Sequence, residues 1–289
     1  MIAKVIELVL WGIMFGSVYT IAGIGISFIR GVLGVLDLSY GSKLTLAAFL
    51  AFTLSAIIGV NPALVILIVL LLVAAISSIM ARYLVYPFRV NEMRLLLITF
   101  SLGVIFEQLI YLIFGPNYII NRLFYIPGTL IFWGMKFPYQ NLVIFLFSTI
   151  ILLVFWVFLL KSKWGKAIRA VSQDEEAARL MGIDTKRVYI GVFVLSGILV
   201  AMAGIFLSSI YMFHTASGAE YLFVALSIIV VGGLGDLRGA VFSGFLLATI
   251  EMLVGYYVSS RWRLPIFFIA VVLTLVLRPK GIFRSARGG

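Results

Sequence analysis

"LVILIVLLLVAAISSIM", residues 64 to 80, is apolar whichever way it is turned. A membrane-barrel strand alternates apolar and polar residues over about 10 positions, whereas an unbroken apolar stretch of this length suits a helix crossing roughly 30 Å of hydrocarbon at about 1.5 Å per residue. Helices and closed barrels are the only spanning structures that satisfy every backbone polar group in lipid. Similar windows recur along the 289 residues, of which 63% are hydrophobic and 11% charged, with a mean hydropathy of +1.20. That composition belongs to an integral membrane protein. Nine windows lie near 5–29, 42–59, 62–85, 94–114, 139–160, 188–212, 219–235, 239–259 and 264–278. The fold class is therefore all-α and polytopic, with about 8–10 transmembrane helices, in a single domain over 1–289.

Asn61-Pro62 separates the second window from the third, and Gly115-Pro116-Asn117 ends the fourth, because proline lacks a donor and restricts its predecessor. Residues 1–29 carry Glu7 inside an apolar stretch longer than a signal-peptide core and read as an uncleaved first span. The net charge of +11 reflects basic residues flanking spans and does not point to nucleic acid. With no cysteine and the single His214, the chain offers no thiolate site and no histidine metal cluster. No catalytic, cofactor-binding or metal-binding set is expected, and His214 reads as a solvated residue of an outer loop.

Lys and Arg in the connections set the orientation. Arg82, Arg89 and Arg94 flank one short loop, seven basic residues lie in 161–187, and Arg278, Lys280, Arg284 and Arg287 mark the tail. These regions are expected in the cytoplasm. Residues 115–138 hold only Arg122 and Lys136 and suit the outer face, with Trp133 and Tyr139 as interfacial anchors. Nine crossings then put the N-terminus outside and the C-terminus inside.

Two stretches interrupt the apolar pattern. In "RGVLGVLDLSYGSK" (30–43), glycines surround Asp37, Ser39 and Tyr40. It reads either as a break in a helix lining a watery path, or as an interfacial loop with Tyr40 at the headgroups and Lys43 snorkelling. In "VGGLGDLRGA" (231–240), several glycines and leucines of the first stretch recur 201 residues later, Gly34 matching Gly235, which hints at an internal repeat.

The segment 161–187 gathers a third of the chain's charged side chains, of both signs. A lipid-binding patch would be nearly all basic. Ser172 followed by Glu175 resembles a capping box, Asp174, Glu175 and Glu176 crowd a first turn where the helix dipole favours anions, and Gly182 supplies a C-cap. The spacing predicts a helix near 173–182 with Ala177, Ala178 and Met181 sharing one small apolar face. So short a helix needs a surface to pack on, either a partner or its own membrane domain.

Within it, "EAARLMG" (176–182) matches the EAAxxxG core of the coupling loop in membrane subunits of ABC importers. Together with "GSVYTIAGIGISFIRGVLGV" (16–35), "VGGLGDLRGAVFSG" (231–244) and "LRPKGIF" (277–283), it makes the chain resemble the inner-membrane permeases of branched-chain amino acid ABC transporters, the shorter of the two paired types. The four blocks are collinear. Many relatives read Asn-Phe-Ala-His-Gly where this chain has Asp37, Leu38, Ser39, Tyr40 and Gly41, so substrate preference does not carry over there. The resemblance implies a prokaryotic inner-membrane complex of two permeases, identical or paralogous, with cytoplasmic ATP-binding subunits and an extracytoplasmic solute-binding protein. The chain lacks GxxxxGK[ST], so ATP and Mg would be bound by the ATPase partner. Arg169, Asp174, Glu175, Glu176, Ala177, Ala178, Arg179 and Gly182 are the coupling candidates. Asp37, Ser39, Tyr40, Gly41 and Glu107 are the candidates for the solute path, because ionisable groups at membrane depth are expensive; Glu251 reads as an interhelical bond. Urea or another small polar solute is the alternative cargo, and an ion-gradient-driven secondary transporter the more distant rival.

Overall fold

The computed structural model describes residues 2–89, 91–132, 134–279 and 281–283. Trp133, Lys280, Arg284 and Arg287, named above as anchor and tail charges, lie outside the described residues. The helices are α1 (Ile2–Leu33), α2 (Tyr40–Phe52), α3 (Pro62–Met80), α4 (Glu92–Phe114), α5 (Tyr139–Lys161), α6 (Lys163–Gln173), α7 (Glu175–Leu180), α8 (Thr185–Ile210), α9 (Ser217–Gly232), α10 (Leu237–Tyr257) and α11 (Arg263–Leu277). Among the described residues, eight helical stretches are long and apolar enough to cross a membrane, and α9 is a shorter apolar ninth. Each of the nine expected windows falls on one of them.

Local chemistry sets the boundaries. Asn61 accepts from the Ala63 amide at 3.0 Å with Pro62 opening α3, and Asn91 accepts from the Arg94 amide at 3.1 Å to start α4. Thr53 bonds back to the Phe49 carbonyl at 2.9 Å where α2 widens into a π-turn over Thr53–Ile57. The 115–138 connection carries a hairpin, β1 (Thr129–Phe132) and β2 (Met135–Pro138), which the hydropathy pattern did not announce.

The packing centre is α1 laid antiparallel on α10. Gly12 and Gly16 of α1 face Thr249 and Phe245, while Gly244 faces Thr20, each too close for a methyl group. Small residues let helices approach where lipid, as apolar as leucine, supplies no hydrophobic drive. Around this pair α2, α8 and α9 are enclosed. The outer helices turn Leu71, Leu97, Leu153 and Val276 outward as a hydrocarbon-facing surface.

One end of the bundle carries α6, α7 and the connections beside them. Arg89 lies 3.4 Å from Glu175, Arg30 lies 3.9 Å from Glu92, and Gly31 meets the α9–α10 turn at Gly235. The tail joins the same end, with the Ile282 and Phe283 amides donating to the Val231 and Gly232 carbonyls at 2.9 and 3.0 Å. The start of α1 is at the opposite end, where Lys4 lies 5.1 Å from the Tyr256 ring centre.

After Leu33 the chain does not leave the bundle. Gly34 (φ +76°) turns it inward, and the Leu38 amide donates to Thr99 Oγ1 at 3.3 Å, about 10 Å along α4 at 1.5 Å per residue. The interfacial-loop reading of 30–43 is thereby overturned: Tyr40 and Lys43 are completely buried. Gly235, the match of Gly34 in the 201-residue offset, also has positive φ, at +82°.

Candidate functional site

The charged segment folds as two short helices rather than one. Ser162 caps α6 by accepting from the Gly165 amide at 2.8 Å, and α6 buries Ile168 and Val171. Arg169, expected at the rim of a docking surface, instead turns back onto α5 and donates to the Leu159 carbonyl, with a second contact to Leu160 at 3.4 Å. A cation there also complements the negative end of the α5 dipole.

Between α6 and α7 the backbone extends at Asp174 (φ −153°), whose carboxylate accepts from the Glu176 and Ala177 amides at 2.9 and 3.0 Å. The Ser172–Glu175 capping box does not form. Ser172 lies within α6 and bonds to the Arg169 carbonyl at 2.8 Å, leaving the capping position to the charged and stronger acceptor. At the far end the Gly182 amide donates to Arg179 and the Ile183 amide to Ala178, a Schellman turn that requires the positive φ of Gly182, +82°. The helix is therefore Glu175–Leu180, shorter than the expected 173–182.

Capped this way, α7 presents a different face from the one its spacing suggested. Ala178 points inward and is 4% exposed. Leu180 and Met181 are 88% and 83% exposed, with Ala177 and Glu176 on the same outward side. Glu175 is not on that side. It accepts from Arg179 at 2.9 Å and Tyr189 at 3.1 Å and pairs with Arg89, which stacks 4.1 Å over the Tyr86 ring. One carboxylate thus ties α7 to the connection between α3 and α4 and to α8. Leu180, Arg89 and Tyr189 were missed in the sequence: Leu180 needed the cap to fix the rotation, and the others lie far away along the chain.

Of the solute-path candidates, Asp37, Ser39 and Tyr40 are completely buried and Gly41 packs on Gly218 of α9. Asp37 accepts from the Ser39 amide at 3.0 Å and from the Ser39 hydroxyl, and it pairs with the equally buried Lys43. The pair closes the loop over the break. Glu107 stands apart from this cluster, half-buried on α4, with Gln108 exposed beside it. Glu251 is 1% exposed and accepts from Arg263 Nε at 2.6 Å, joining α10 to α11. Arg263 stacks 4.4 Å over Tyr211. His214 forms a 2.6 Å hydrogen bond with Ser217 and stacks on Tyr118.

The arrangement is a membrane-embedded bundle with a rigidly capped, outward-facing apolar knob at one end. Residues 8–277 match the family model described as the permease component of the branched-chain amino acid transport system. The chain belongs to that family. It is 24% identical over 286 residues to the high-affinity branched-chain amino acid transport system permease protein LivH of Salmonella typhimurium, covering 94% of this chain and 92% of that one. It is 25% identical over 302 residues to the LivM permease of the corresponding Escherichia coli system, covering 93% and 68%. The fold is similar to that of PsaBC from Streptococcus pneumoniae in complex with Fab (TM-score 0.53, 15% identity, 97% of both chains). The chain is thus a multi-pass permease subunit of an ABC importer, as the sequence motifs implied.

Proposed function

We propose that this permease, one transmembrane domain over its whole length, forms with a second permease the path for branched-chain or related amino acids and is driven from the α7 end by a separate ATPase. The observation that carries the reading is the capped α7 turn with Leu180 and Met181 almost fully exposed. Two bare apolar side chains on a six-residue helix are stable in contact with a partner groove, and the short helix is held at both ends as a rigid handle. Glu175 carries a push on α7 into the α3–α4 connection and α8, so that closure of the ATPase moves spans as bodies.

In this reading the α7 end and the tail are cytoplasmic, as the positive loops imply, and the start of α1 is outside. ATP and Mg are bound by the ATPase, a solute-binding protein delivers cargo from outside, and the second permease is a paralogue, as the likeness to both LivH and LivM favours. Glu107 and Gln108 face out of the chain at membrane depth, where an acid is expensive unless a protein or a watery path covers it. They fit the side turned to the second permease and the solute. Asp37 supports the path indirectly, by closing the break with Lys43.

The test is reconstitution of the permease pair with its ATPase and binding protein in proteoliposomes. Leucine uptake is expected to need ATP and the binding protein; uptake driven by a proton or sodium gradient alone would contradict the reading.

A further inference from the structure

A cavity of about 400 Å³ opens between α1, α9, α10 and α11, at the end of the bundle opposite α7. Its volume lies within the range of about 300–1,000 Å³ typical of small-molecule sites. The Glu251–Arg263 pair lies in its wall. Glu251 Oε1 accepts from Arg263, but the buried Oε2 and the buried hydroxyl of Tyr211 make no hydrogen bond of ordinary geometry, with only weaker interactions to the nearby Tyr19 phenol and Arg263 guanidinium. A carboxylate oxygen and a phenol so weakly paired on one cavity are costly unless a ligand supplies the missing bonds. Arg263 uses one of its five donors on Glu251. Val224, Leu264 and Phe267 give one part of the wall an apolar lining, while Glu220, Tyr221 and Arg261 make the remainder polar.

We propose that this cavity binds a small zwitterion, with a primary ammonium on Glu251 Oε2, an anionic group on Arg263 and the Tyr211 hydroxyl, and an apolar substituent against Val224 and Phe267. Two sources carry that chemistry, a free aliphatic amino acid or the ethanolamine headgroup of a phospholipid. A role in transport rests on the permease reading; binding itself does not.

The test uses the membrane complex without its binding protein. In delipidated detergent, L-leucine is titrated calorimetrically beside isoamylamine and 4-methylpentanoate, each lacking one charge. In nanodiscs, retention of phosphatidylethanolamine over phosphatidylglycerol is read by native mass spectrometry. Tyr211→Phe removes only a hydroxyl that makes no hydrogen bond of ordinary geometry, so its melting temperature is expected to stay close to the parent; Glu251→Gln is the second variant. Leucine binding at least tenfold tighter than either analogue, and weakened at least tenfold by Tyr211→Phe, assigns the site to a free amino acid. Ethanolamine lipid retained by the parent and lost from both variants, without leucine binding, assigns it to a headgroup. Absence of both, or binding unchanged in both variants, overturns the proposal. ATP-driven uptake by the same complex supplemented with binding protein would then leave the permease reading standing.

Discussion

Asp37 and Lys43 are paired and both completely buried, and that burial decides what a substitution does. Removing one partner of a buried ion pair strands the other charge and costs about 3–5 kcal/mol, whereas replacing both with uncharged groups is often neutral. Asp37→Asn is therefore expected to lower the melting temperature in detergent by several degrees, and Asp37→Asn with Lys43→Met to recover most of it. Equal loss in the single and double variants would show that the pair does not hold the break. The sequence made Asp37 visible as an acid inside a glycine-rich interruption, but not its partner. Lys43 lies six positions on, a separation at which neither helical nor strand spacing announces a contact, and only the inward turn at Gly34 brings the two together. Glu251 differs, since its partner Arg263 lies on the next helix and an interhelical bond was the plain expectation.

At the scale of one element, α7 shows how a single cap rotates a function. Both the composition of 173–182 and the glycine C-cap at 182 were legible, yet the pattern pointed to Ser172 rather than Asp174 as the N-cap, and the spacing of alanines did not say which face turns outward. Asp174 takes the cap and puts Ala178 inside and Leu180 outside. A bulky residue at Ala178 should thus disturb the loop itself: Ala178→Trp is expected to lower the melting temperature as well as transport. Asp174→Ala removes the one carboxylate oxygen that accepts from two backbone amides, costs about 1 kcal/mol of helix stability, and should reduce ATP-driven uptake several-fold with membrane insertion intact. Wild-type uptake in that variant would mean that α7 need not be preformed. Glu175 belongs to the same scale. It faces the protein rather than the groove, so Glu175→Gln is expected to leave ATPase association unchanged while slowing uptake, a split that titration of the ATPase onto the permease complex beside an uptake assay would reveal.

For the whole molecule, hydropathy was enough to locate the eight helical stretches of spanning length and the shorter apolar α9, because a crossing helix must match the thickness of hydrocarbon. The antiparallel α1–α10 centre was not readable, since it rests on glycines more than 200 positions apart whose meeting only the fold specifies. Topology can be checked in the protein as it stands because the chain has no cysteine. Single cysteines at Gln173 and Leu180 are expected to react with a membrane-impermeant maleimide only from the cytoplasmic side, and those at Gly59 and Ser259 only from outside; labelling of all four from one side would refute the nine-pass arrangement. In the proposed reading, the outward knob on α7 is the contact through which an ATPase drives the bundle. Its decisive test is ATP-driven leucine uptake in proteoliposomes by the complex carrying Leu180→Glu, measured beside its melting temperature and the amount of co-purifying ATPase. Uptake at least tenfold slower, with ATPase lost and melting unchanged, is the expected result. Full uptake with ATPase still bound would contradict the proposed coupling contact.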